Sequence, residues 1–112
     1  MKVYTLLAVF APDSTIVDSQ GKMPAFELDG SAHSLDVIRD SFSNITGISQ
    51  WEIYFNQEKS FESKDSVFIP YTCFFPEKFD IKNTTYRWQK LIDCNKDDVQ
   101  THMIRYLATV RM

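Results

Sequence analysis

Cysteine is nearly absent from this chain. Its 112 residues include two, Cys73 and Cys94. Two cannot staple a small secreted scaffold, and no C-x-x-C spacing suggests zinc or redox work. Both read as ordinary buried or half-buried thiols. A basic excess is missing as well. Twelve Lys and Arg stand against fifteen Asp and Glu, a formal net charge of −3, with a pI near 5.2. Without a basic stripe there is no electrostatic case for broad nucleic-acid binding. No apolar run approaches the roughly 20 residues that a membrane span needs. There is no repeat, low-complexity tract or linker. No serine or cysteine is placed by sequence as a nucleophile beside either histidine, His33 or His102.

What the chain has is a core. Hydrophobic residues make up 44% and aromatics 14%, more than a disordered chain carries. The length suits one compact domain spanning residues 1–112. The start, "MKVYTLLAVFAP", imitates a secretion signal, and two sequons, Asn44-Ile45-Thr46 and Asn83-Thr84-Thr85, fit that story. Yet the apolar run is short and holds Tyr4 and Thr5, so it reads as a first strand in a cytoplasmic protein.

Periodicity orders the rest. Val3 to Phe10 is apolar on both faces, as a central strand is. Ser14 to Val17 and "AFELDG" (25–30) suggest short strands, the second ending in an Asp-Gly turn. Leu35, Ile38, Phe42 and Ile45 form one helical stripe, which predicts a helix from Leu35 to Thr46. Ser34 is its expected N-cap and Gly47 its expected C′ residue. "WEIYF" (51–55) alternates like a half-buried strand, with Trp51, Ile53 and Phe55 inward. "NQEKSFESKDS" reads as a polar hairpin loop. "VFIPYTCFF" (67–75) reads as an inner strand, except that Pro70 predicts a bulge or an edge. "TTYRWQKL" (84–91) is an expected last strand. Asn95-x-x-Asp98 then opens a second helix, with Val99, Met103, Tyr106, Leu107 and Val110 inward and Arg105 and Arg111 toward its negative end.

This order, and the helix "VIRDSFSNITGI", resemble the Nudix family. Its box is G-x5-E-x7-R-E-U-x-E-E-x-G-U, with U apolar. Anchored on Gly47-Ile48, the box puts Phe42 on the apolar position. "MPAFELDG" stands near the family's aromatic-x-x-Pro-Gly-Gly entry, and "TTYRWQKLID" resembles its tryptophan-bearing strand. The resemblance implies an α/β fold, a small mixed β-sheet sandwiched by helices. The chemistry departs from the family. Asp40-Ser41 occupy the Arg-Glu pair, Asn44-Ile45 the Glu-Glu pair and Ala32 the distant glutamate. Slipping by one puts Arg39-Asp40 on Arg-Glu but Ser43-Asn44 on the glutamates.

Magnesium-assisted attack on a diphosphate needs several hard oxygen ligands. Asp36 and Asp40 share a helical face, so a reduced metal site with Glu27 or Asp29 is the alternative reading, a divergent magnesium-dependent hydrolase of nucleoside-diphosphate derivatives. The favoured reading is a catalytically degenerate Nudix-like domain, not an enzyme and without a cofactor, that binds a protein partner, a second copy of itself or a nucleotide-like ligand. The short chain and trimmed pocket loops favour the protein. An unrelated small α/β interaction domain is the remaining alternative. Among the many aromatics, Phe74, Tyr86 and Trp88 are the expected ligand or partner surface.

Overall fold

The computed structural model describes residues 1–94 and 97–110, with side chains throughout except at 50 and 108–110. Seven strands form one mixed sheet: β1 (Lys2–Ala11), β2 (Ser14–Val17), β3 (Ala25–Leu28), β4 (Asn56–Gln57), β5 (Phe61–Ser63), β6 (Ser66–Phe74) and β7 (Arg87–Lys90). Two helices, α1 (Ser34–Thr46) and α2 (Asp98–Val110), complete it. The path through the sheet is β4-β6-β1-β2-β7, with β3 beside β1 and β5 beside β6.

β1 is the central strand that its two apolar faces predict. It pairs with β6 in parallel from Lys2↔Ser66 to Phe10↔Phe74. It pairs antiparallel with β2 and β3. The pleat sends successive side chains to opposite faces. Leu7 and Val9, with Tyr71 and Cys73 of β6, meet Ile38, Phe42 and Ile45 of α1. Leu6, Ala8 and Phe10 meet Met23 and the α2 residues Met103 and Leu107. A helix therefore covers each face, which explains how so short a chain keeps both sides of β1 dry.

Pro70 makes no bulge. The β1–β6 register runs through it, opposite Leu6. The Pro70 carbonyl accepts the Glu58 amide at 2.8 Å, on the side away from β1. A residue's N and C=O point to the same side of a strand, so the missing donor faces outward too. There the neighbouring strand is split into β4 and β5, and the ladder loses nothing. The β5–β6 hairpin closes through Lys64 and Asp65, both at positive φ (48° and 63°). That is the backbone of a two-residue type I′ turn, here without glycine.

The expected polar loop at 56–66 holds two strands, β4 and β5, and three boundaries also differ from the sequence reading. The N-cap of α1 is His33, whose Nδ1 accepts the Leu35 amide at 3.2 Å. Ser34 lies inside the helix, with its Oγ 2.7 Å from the Tyr71 hydroxyl. Residues 51–55 are not a strand. Gln50–Glu52 form a 3-10 turn, and sheet pairing starts at Asn56. Ile53 and Phe55 pack inward as the alternation predicts, but Trp51 is exposed. The last strand begins at Arg87, because Asn83 holds residues 83–86 in a turn: its side chain takes the Thr85 amide and hydroxyl and its carbonyl the Tyr86 amide. Gly47 ends α1 at φ 80°, as expected. Asn95 and Arg111 fall outside the described residues. At the start of α2 the Asp97 carboxylate accepts the Gln100 amide at 2.9 Å.

Candidate functional site

Three places carry the site residues and the groups around them. The first is the outer face of α1. Asp36 and Asp40 are exposed there, one turn apart. Glu27 stands on β3, 3.6 Å from Lys2 Nζ. Asp29 is engaged locally: the Ser31 hydroxyl and amide bind its carboxylate and hold it below the usual carboxylate range. Among the described residues no three His, Cys, Asp or Glu side chains gather closely enough to hold a metal ion. Glu27, Asp36 and Asp40 are thus not brought together. Ile45, on one position of the family's glutamate pair, is 2% exposed and packs in the core. A ligand role there is closed to it by both chemistry and direction.

The second place is the aromatic set, which the sheet divides between its faces. Phe74 stacks on Phe10 at 5.5 Å, on the α2 side, and stays 41% exposed. Tyr86 and Trp88 pack against the α1-side core. Trp88 donates its indole N–H to the Phe79 carbonyl at 2.8 Å and stands edge-on to the Phe79 ring. Phe74, Tyr86 and Trp88 therefore share no single surface. The most open aromatics are elsewhere, at Trp51 and Tyr54. Arg39 of α1 lies over the Trp51 ring, its guanidinium carbon 5.3 Å from the centroid. Its Nε is buried without a hydrogen-bond partner among the described residues.

The third place is a cavity of about 320 Å³ between the sheet and the start of α2. Tyr4 and Phe68 form an aromatic side, their rings stacked at 5.3 Å and 16°. The stack continues through Phe61, at 5.4 Å from Phe68, to His102, at 3.8 Å from Phe61. Lys22, Lys64, Asp97 and Asp98 bring charge to the lining. Gln100 also lines it and is 1% exposed. Its Nε2 donates to the Cys94 carbonyl, which fixes the amide's orientation, and its Oε1 has no partner among the described residues. A buried acceptor without a donor costs about 1–3 kcal/mol.

Sequence reasoning missed this cavity, since Tyr4, Lys22, Lys64, Phe68 and Gln100 lie far apart along the chain. One signal was present: Gln100 is a polar residue on the apolar stripe formed with Met103 and Leu107. Of the two thiols, both are buried and unpaired by disulfide. Burial pushes the Cys73 thiol up to about 12, so it is no nucleophile at neutral pH.

Comparison with solved structures gives the fold its relatives. The C-terminal domain of mouse MUTYH, in a complex with human PCNA, superposes with a TM-score of 0.77 at 11% identity, covering 99% of this chain and 90% of that one. The Ap4A hydrolase of C. elegans gives 0.64 at 8% identity, covering 98% of each. A MutT/nudix family protein from Enterococcus faecalis gives 0.55 at 16% identity, over 80% of this chain and 43% of that one. At these identities the likeness is one of fold, and the fold is Nudix-like. No protein-family model matches the chain, and comparison with curated protein sequences finds no match.

Proposed function

We propose that this Nudix-like domain acts by binding and not by hydrolysis. The observation that carries the reading is the α2 cavity, lined by Gln100, whose buried Oε1 has no hydrogen-bond partner among the described residues. Its chemistry suits a nucleotide-like ligand. A planar base stacks on the Tyr4–Phe68 side, a base N–H or amino group donates to Gln100, and Lys22 or Lys64 meets a phosphate. Against hydrolysis stand the positions of the family's glutamates, which carry Ala32, Ser41, Asn44 and the buried Ile45 here. A protein partner is the second reading, supported by the fold neighbour found in complex with another protein and by the open rings of Trp51 and Tyr54. Two buried, unbridged cysteines fit a reducing compartment such as the cytoplasm. No helix among the described residues is long and apolar enough to cross a membrane.

Calorimetric titration with nucleosides and mononucleotides tests the reading. Binding of at least one base is expected, weakened about tenfold in Gln100→Leu, the loss of roughly one hydrogen bond. No binding by any base, or equal binding by the variant, overturns the cavity's role. Phosphate release from a panel of nucleoside-diphosphate derivatives, with magnesium or manganese, is expected to stay at background. Turnover that disappears in a folded Asp40→Asn variant would sink the non-hydrolytic reading.

A further inference from the structure

Two large aromatic side chains stand in the open three residues apart. Trp51 is 77% and Tyr54 80% exposed. Ile53 and Phe55 pack into the α1-side core, and that anchoring turns Tyr54 outward. Trp51 is held flat by Arg39, whose cation meets one face of the indole. The folded monomer buries little of either ring. Trp, Tyr and Arg are the side chains that most often carry binding energy at protein interfaces.

The charge around them selects a partner. Asp36 and Asp40 flank Arg39 on α1, and Glu52 follows Trp51; all three are exposed. None of the three, nor Arg39, has an ion-pair partner among the described residues; the pair found there is Lys2–Glu27. Three carboxylates against Arg39 and, beside Gly47, Lys82 leave the surface acidic. An acidic segment or a phosphate backbone is repelled by such a field, and a basic one is drawn to it.

We infer that the outer face of α1, with the turn that follows it, receives a basic extended segment of a protein partner. The aliphatic stems of its Lys or Arg side chains lie on Trp51 and Tyr54. Their charged ends meet Asp36, Asp40 and Glu52. This rests on the protein-partner reading and is independent of the cavity. It also gives the two aspartates a use that requires no metal.

The test uses the whole chain and three fluorescein-labelled 12-residue peptides: one rich in Lys and Arg, one with Glu in their place, one neutral. Anisotropy reports binding, and the part of the tryptophan emission change that is lost in Trp51→Ser reports its place. The basic peptide is expected to bind and to shift tryptophan emission. Trp51→Ser is expected to weaken it tenfold or more, and the double variant Asp36→Asn, Asp40→Asn several-fold. Gln100→Leu is expected to leave it unchanged. Equal binding to Trp51→Ser would mean diffuse attraction only and would overturn the proposal, as would no binding of the basic peptide. Binding of the neutral or acidic peptide at Trp51 would overturn the basic partner while leaving a protein-binding surface. Nucleoside titration of the same preparation separates any of these failures from a failure of the cavity.

Discussion

Phe42→Ala is the sharpest perturbation of the fold. Phe42 is fully buried, edge-on to Phe55 at 5.2 Å and stacked with Phe75 at 6.2 Å. Removing a buried phenylalanine ring typically costs about 3–5 kcal/mol. Loss of two ring partners, each giving about 0.5–1.5 kcal/mol beyond area burial, places this case toward the upper end. A domain of this size has roughly 6–17 kcal/mol in all. At about 4 °C per kcal/mol, the melting temperature falls by roughly 12–20 °C. Urea unfolding measures the loss directly, with an unchanged slope if both states keep their compactness. Phe42→Leu keeps most of the volume and should lose less than half as much. If Phe42→Ala melts within about two degrees of the parent, or both variants lose the same, the ring is not the centre of the α1-side core.

Gly47→Val acts through the backbone. Gly47 sits at φ 80°, and a Cβ there would stand 3.0 Å from Lys82 Cδ. The lysine stem can swing aside but the φ cannot, so the cost is about 1–2 kcal/mol. Gly47→Asn should recover much of it, and equal losses in the two variants would contradict this. Cys73 predicts an alkaline limit. Burial holds its thiol at about 12 in the folded protein against an ordinary 9.0, so its contribution is complete below pH 9 and is lost as pH rises toward 12. Urea midpoints at pH 7, 9 and 10.5 should fall more steeply in the parent than in Cys73→Ala; parallel curves would refute it.

Much of the fold was legible because it rests on two local patterns. The unbroken apolar run of β1 marks two faces that need cover, the stripe Leu35, Ile38, Phe42, Ile45 marks one, and the structure covers them all. The ends were less legible, because capping is a contest between neighbours. His33 takes the cap that Ser34 suits equally well, and Tyr71, 37 residues away, engages the serine. Trp51 was misplaced since it continues the alternation of Ile53 and Phe55, whereas a turn and the Arg39 cation hold it outside. The cavity could not be read along the chain. It exists only where the β5–β6 turn, the first half of β1 and the start of α2 meet.

The parallel pairing of β1 with β6 bears on how the protein is made. Leu6 finds its register opposite Pro70, 64 residues later. At about 5–20 residues per second on the ribosome, roughly 3–13 seconds separate the two. Throughout that interval the sequence "LLAVFA" has no β6 to lie against, and only the β2 and β3 hairpin partners are at hand. Such a strand, apolar on both faces and free along one edge, is what nascent-chain chaperones shield and what aggregates when synthesis is fast or crowded. Contacts this distant also slow folding. Overproduction should therefore strain the cell's folding machinery well before any loss of stability in the finished domain is felt.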